Sequence, residues 1–117
     1  MNLPEPVESF VEEGEAREKE GFPDIDYYNV KKAAIVLRAM NHKLRQQIIK
    51  TINDSKKLTV TELYIKLRLE QSVASQHLAI LRKAGIVSTK REGKFIFYTI
   101  NIPRIEAINE FVKKLVG

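Results

Sequence analysis

Thr59-Val60-Thr61-Glu62-Leu63-Tyr64-Ile65-Lys66-Leu67 and, after Arg68-Leu69-Glu70, Gln71-Ser72-Val73-Ala74-Ser75-Gln76-His77-Leu78-Ala79-Ile80-Leu81-Arg82-Lys83-Ala84-Gly85 carry the pattern that decides how this 117-residue chain folds. Thr59 and Glu62 stand three apart immediately before Leu63, Ile65 and Leu67. A hydroxyl and a carboxylate at that spacing can each accept the other's open backbone N–H, which starts a helix. The polar step Glu70-Gln71-Ser72 follows, and then Ala74, Leu78 and Leu81 recur at helical spacing up to Ala84-Gly85. There glycine can take the left-handed conformation that closes a helix. Two helices joined by a short connection make a helix-turn-helix unit.

Downstream, Ile86 to Arg91 and Lys94 to Ile100 are rich in β-branched and aromatic residues, with Glu92-Gly93 as the expected two-residue link of a hairpin. This hairpin is a candidate wing. Asn101 and Pro103 open a last helix with Ile105, Ile108, Phe111, Val112 and Leu115 on one side. Upstream, Val30, Ala33, Ala34, Leu37 and Met40 define a first helix, and Leu44, Ile48, Ile49 and Ile52 a second, for which Asn41 is the expected cap. The expected fold class is α+β: a mostly helical winged helix-turn-helix of about five helices plus a two-stranded β-hairpin.

On the fourth helix Ala74, Leu78 and Leu81 mark the buried side, so Ser72, Gln76, Ala79 and Lys83 point outward, with Ser75 and Arg82 flanking them. Small polar residues beside one amide side chain can enter a major groove, where Gln pairs with adenine and Ser reaches a base edge or a phosphate. A polar solvent-facing helix has the same composition, and the hairpin tips the balance. Its tip gathers Lys90, Arg91 and Lys94, cations placed to grip backbone phosphates beside the reading helix. Val73, near the helix start, suits contact with a thymine methyl and thus an A·T-rich half-site.

The stretch Glu62-Leu63-Tyr64-Ile65-Lys66-Leu67, then Gln71-Ser72-Val73-Ala74-Ser75-Gln76-His77-Leu78, Leu81-Arg82-Lys83-Ala84-Gly85-Ile86-Val87, and Arg91-Glu92-Gly93-Lys94 with Tyr98 resembles the ArsR-type winged-helix transcriptional repressors. The resemblance runs from about Leu37 to Ile100. It implies a homodimer on a palindromic operator, with the fourth helix as reader, Arg91 to Lys94 as wing tip, and the first and last helices as the dimer interface. The expected DNA-binding set is Gln71, Ser72, Val73, Ser75, Gln76, His77, Arg82, Lys90, Arg91 and Lys94; the expected interface is Val30, Ala34, Leu37, Ile105, Ile108, Phe111, Val112 and Leu115. The departures concern sensing. Where the family's arsenic- and cadmium-type members carry Cys in the third helix, this chain has Tyr64 and Lys66, and it contains no cysteine. On the last helix Glu106 and Glu110 share a face without a histidine, a poor set for zinc or nickel. No metal site and no cofactor are expected, and no effector is assigned.

Charge is unevenly distributed. Residues 1–26 hold nine acids and two bases, net −7, while the other 91 residues carry 18 bases and six acids, net +12. A body of that charge favours a polyanionic partner, here double-stranded DNA. The acidic segment, with Pro4, Pro6, Pro23, Gly14 and Gly21, reads as an arm set apart from a domain at residues 27–117. It could compete with DNA for the basic face, dock on a partner subunit, or serve as a solvated tail. The absence of cysteine rules out disulfides and fits a cytoplasmic protein; the longest apolar run, Ala33 to Leu37, is far short of a bilayer span, and the start lacks the basic residues of a signal peptide. His77 is expected to pack or to bond a phosphate, His42 to be solvated, and Tyr27-Tyr28 to pack against core or partner. No catalytic residue is expected, because the serines near His77 lack an acid and an oxyanion loop. The competing reading is a protein-interaction module on the same scaffold, which salt would weaken far less than DNA binding.

Overall fold

The structure, a computed structural model, describes residues 23–117. Its elements run α1 (Tyr27–Met40), α2 (Lys43–Ser55), α3 (Val60–Leu67), α4 (Gln71–Lys83), β1 (Val87–Glu92), β2 (Phe95–Ile100) and α5 (Ile102–Val116). The α+β class, the five helices among the described residues and the hairpin are as the sequence implies. The described residues fall into two units, with the division after Ala34, inside α1, and the second unit is Ile35–Gly117. Of the acidic arm only residues 23–26 are described, and they lie outside any helix or strand.

Within the second unit the core forms where the helical stripes converge. Ile48 and Ile52 of α2, Leu63 of α3, Leu78 and Leu81 of α4, and Ile86 are almost wholly removed from solvent, joined by Ala39, Leu58, Ala84 and Val87. Each large aliphatic side chain so buried contributes about 1.5–3 kcal/mol. Ile105 and Ile108 of α5 pack against this cluster from outside while remaining half-exposed.

The capping box at α3 is formed: Glu62 N–H donates to Thr59 Oγ1 at 3.1 Å, and Thr59 N–H to Glu62 Oε1 at 2.9 Å. At the other end Arg68 takes a left-handed conformation, φ 56°, which turns the chain sharply into α4. Three expected boundaries move. α2 is capped by His42, whose Nδ1 accepts the Leu44 N–H at 3.2 Å, and not by Asn41. The reason is backbone geometry, because His42 holds the extended conformation that aims a cap side chain back at the first turn. The hairpin link is Gly93-Lys94 and not Glu92-Gly93, because Glu92 pairs with Phe95 and Gly93 takes the positive φ, 62°, that a two-residue turn needs at its first central position. Ile86 likewise precedes the strand. Gly85, φ 77°, reverses the chain after α4, and Ile86 drops into the core before β1 starts at Val87.

The hairpin is antiparallel from Val87↔Ile100 to Glu92↔Phe95. At its base Leu58 adds a one-residue third strand, exchanging two backbone hydrogen bonds with Tyr98 at 2.7 and 3.1 Å. The wing is thereby anchored to the loop between α2 and α3.

Candidate nucleic-acid interface

α4 divides cleanly. Ala74, Leu78 and Leu81 are buried, whereas Gln71, Ser72, Ser75, Gln76, Ala79, Arg82 and Lys83 are exposed, and Val73 and His77 lie between. The outer face expected of a reading helix is thus free of bulky side chains over its first two turns. Glu70, its N-cap residue, makes no side-chain cap hydrogen bond. The first-turn N–H groups of α4 are therefore left without a side-chain acceptor from their own cap residue.

The helix is held from both sides by side chains of other elements. At its C-terminus Arg104 of α5 donates through Nη2 to Ala84 O at 3.2 Å, and Asn101 Nδ2 to Gly85 O at 3.0 Å. These bonds satisfy carbonyls that a helix end leaves open. Farther up, Arg45 of α2 is the one buried charged side chain among the described residues. Its Nε donates to Ala39 O at 2.6 Å, Nη2 to Arg38 O at 3.2 Å, and Nη1 lies 3.2 Å from Nδ1 of His77. His77, expected at the DNA, is thus turned inward onto Arg45. Burial, then the nearby His42 and Arg45, hold its pKa below the usual 6.5.

At the wing, Lys90, Arg91 and Lys94 are all exposed. Arg91 Nε donates to Gly93 O at 3.1 Å, folding that guanidinium over the turn, and the Lys94 ammonium lies 5.4 Å from the centre of the Phe95 ring. Sequence reasoning missed Lys57. Its ammonium bonds both oxygens of Glu92, at 2.7 and 2.8 Å, and sits 4.5 Å from the centre of the Phe97 ring. The hydrogen bond from Lys57, helped by the charges of Lys57 and Lys90, outweighs the opposing effect of desolvation and lowers the Glu92 pKa. The one acid of the wing is therefore engaged by the wing's own base, leaving the tip cations uncompensated by it. A Lys in a polar run gives no hint that it will pair with a strand residue 35 positions on.

The residues expected at a dimer interface separate into two groups. Val30, Ala34, Phe111 and Leu115 are exposed, the last by 64%, while Leu37, Ile105, Ile108 and Val112 are half-buried. Ile105 and Ile108 owe this to their own core. Tyr28 is exposed with Lys32 stacked 5.0 Å from its ring centre.

The model of the bacterial regulatory protein arsR family matches residues 42–89, the span from the α2 cap into β1. The chain is 40% identical over 87 residues to the transcriptional activator HlyU of Vibrio cholerae, covering 74% of this chain and 80% of HlyU. It is 36% identical over 84 residues to the transcriptional repressor PagR of Bacillus anthracis, covering 72% of this chain and 84% of PagR. The crystal structure of PagR superposes with a TM-score of 0.60 at 33% identity, over 74% of this chain and 99% of that one. An ArsR-like regulator from Rhodococcus sp. RHA1 gives a TM-score of 0.68 at 17% identity, over 74% of this chain and 81% of that one, a likeness of fold. These relatives are transcription regulators and not enzymes, and the chain itself belongs to the ArsR family of winged-helix DNA-binding transcription regulators.

Proposed function

We propose that the protein acts as a homodimeric repressor in the cytoplasm, reading a palindromic operator with α4 and gripping backbone phosphates with the hairpin. One observation carries the reading: a helix whose inner face is fully buried presents Gln71, Ser72, Ser75 and Gln76 outward at its start, beside a wing whose tip is basic. Gln76 is the base reader, pairing with adenine, while Val73 meets a thymine methyl; Ser72 and Ser75 reach edges or phosphates. Lys90, Arg91 and Lys94, with Arg82, supply sequence-independent affinity. Dimerisation uses the apolar faces of α1 and α5, where Val30, Phe111 and Leu115 stand exposed. The relatives' names point in opposite directions, activator for HlyU and repressor for PagR. Repression is the reading taken because a dimer seated on its operator occludes the DNA that it covers. Residues 1–26, at −7 against a body at +12, suppress non-specific binding by competing for the basic surface.

The test is selection of bound fragments from genomic DNA, followed by binding at several salt concentrations. The expected motif is an inverted repeat with half-site centres about one helical turn, ~10 bp, apart, bound with a steep negative salt slope. A salt-insensitive complex with protein and no DNA enrichment would replace this reading with the interaction module.

A further inference from the structure

Arg45 presents an unusual ledger for a buried cation. Its three hydrogen-bonded partners, Ala39 O, Arg38 O and His77 Nδ1, are all neutral, and among the described residues no carboxylate is paired with it. Guanidinium has donors only and does not lose its proton in proteins. Nδ1 of His77 must therefore be the acceptor, which fixes that ring as the neutral form with its proton on Nε2. The two carbonyls lie in the last turn of α1, where the helix dipole is negative, so the site suits one positive charge and no more.

Resting on the DNA-reading function proposed above, we infer that Arg45 and His77 are positioning residues for the reading helix: Arg45 ties α4, through neutral His77, to the last turn of α1, and protonation of His77 releases α4 from its operator-competent orientation.

The two ionisable groups that act on the imidazole, His42 and Arg45, both oppose its protonation. From α2 comes Arg45, with Nη1 at 3.2 Å, and from the α2 cap comes His42, whose ring centre is 5.0 Å from that of His77. The last turn of α1 contributes only the carbonyls already held by Arg45, and the charged residues of α4 itself, Arg82 and Lys83, are bases. A proton on Nδ1 removes the acceptor and sets two cations against each other in a half-buried place. The sign follows from the lowered pKa: folding favours the neutral ring, so the contribution of the latch is full above about 6.5 and is lost as pH falls through the lower, folded value. Gln71 to Gln76 lie within two turns of His77 on the same helix, and base reading tolerates little angular error in the element that carries it.

The experiment compares binding of the duplex recovered by genomic selection with binding of a scrambled duplex of equal length, from pH 8 to pH 5.5. Taking the ratio removes the general gain in DNA affinity that added positive charge brings. In the wild type the ratio is expected to fall about tenfold as pH drops from 6.5 through the lowered His77 value, the scale of one hydrogen bond to a charged group. His77→Asn, whose amide oxygen can replace Nδ1 as acceptor and does not titrate, should hold a single ratio across the range. His77→Leu, which has no acceptor, should give a ratio about tenfold below that of His77→Asn at pH 8. His42→Ser keeps a capping oxygen and removes one of the groups that hold the His77 pKa down, so the pH step should persist and move to higher pH. A step that survives in His77→Asn, or vanishes in His42→Ser, overturns the proposal. So does a 15N shift for His77 Nδ1 in the free protein that marks it as protonated at pH 8, a readout independent of DNA and of whether His77→Leu folds. A wild type that does not distinguish the two duplexes at pH 8 overturns the DNA-reading function together with the positioning role, whereas discrimination without the step overturns the positioning role alone.

Discussion

α4 and α5 are amphipathic helices of similar length, 13 and 15 residues, yet they end in opposite conditions. α4 buries Ala74, Leu78 and Leu81 completely against α2, α3 and β1, whereas no residue of α5 is buried, and Phe111, Leu115 and Val116 remain substantially exposed. The difference teaches that a stripe of apolar residues specifies a face and says nothing of what covers it. The face of α4 is completed by its own chain; the far half of α5 waits for something else, which is the basis for reading it as a subunit interface.

That contrast breaks most sharply at Leu78. Leu78→Ala should cost about 2–5 kcal/mol of folding free energy by opening a cavity at a site that cannot collapse, as measured by denaturant titration. The matching change on α5, Phe111→Glu with Leu115→Glu, should leave the cooperative unfolding of the second unit in place and abolish self-association in sedimentation. Operator affinity should then drop by about a hundredfold or more as the second half-site is lost. Should these substitutions unfold the protein as Leu78→Ala does, α5 is core and the contrast fails.

Smaller effects sharpen the outer face of α4 against the wing. Gln76→Ala is expected to relax preference at one base pair per half-site by about 1–3 kcal/mol, visible as a changed base in a repeated selection. Lys94→Ala should weaken operator and random DNA alike and lower the salt slope by about one. Equal effects of both substitutions on random and selected DNA would mean that α4 is not the reader. The smallest effect belongs to Lys57 and Glu92. Because the folded Glu92 pKa is lowered, the pair stabilises the wing above the ordinary value of 4.5 and ceases to do so as pH falls through the lower folded value. Lys57→Met should move the Glu92 titration, followed by NMR, back up toward 4.5.

Much of this arrangement was legible from local signals. The Thr59–Glu62 box needs only four residues to declare itself, and the spacing of Ala74, Leu78 and Leu81 identifies the inner side of α4 without knowledge of the rest. The errors sit where the deciding quantity is a backbone angle. Asn41 and His42 are both polar, and only the extended φ and ψ of His42 make it the cap; Gly93 opens rather than closes the hairpin link because of its positive φ. Contacts that join distant positions left no local trace. Arg45 and His77 are 32 residues apart, and Arg104 and Ala84 are 20, so nothing in either neighbourhood announces that a basic residue will hold the reading helix. Ile105 and Ile108 were indistinguishable from Phe111 by pattern, since one helical stripe serves two different coverings.

The Leu58–Tyr98 bridge has a consequence for how the molecule assembles. The β1–β2 hairpin closes over two residues and can zip locally, on the order of 1–10 μs for such an element. Its anchoring strand is forty positions upstream, and that contact forms only after the chain entropy of a loop containing α3 and α4 has been surrendered. The wing thus acquires its shape early and its attachment late. A polypeptide caught between those moments carries a finished hairpin whose edge at Tyr98 is open, a strand edge available for pairing with another chain until Leu58 arrives.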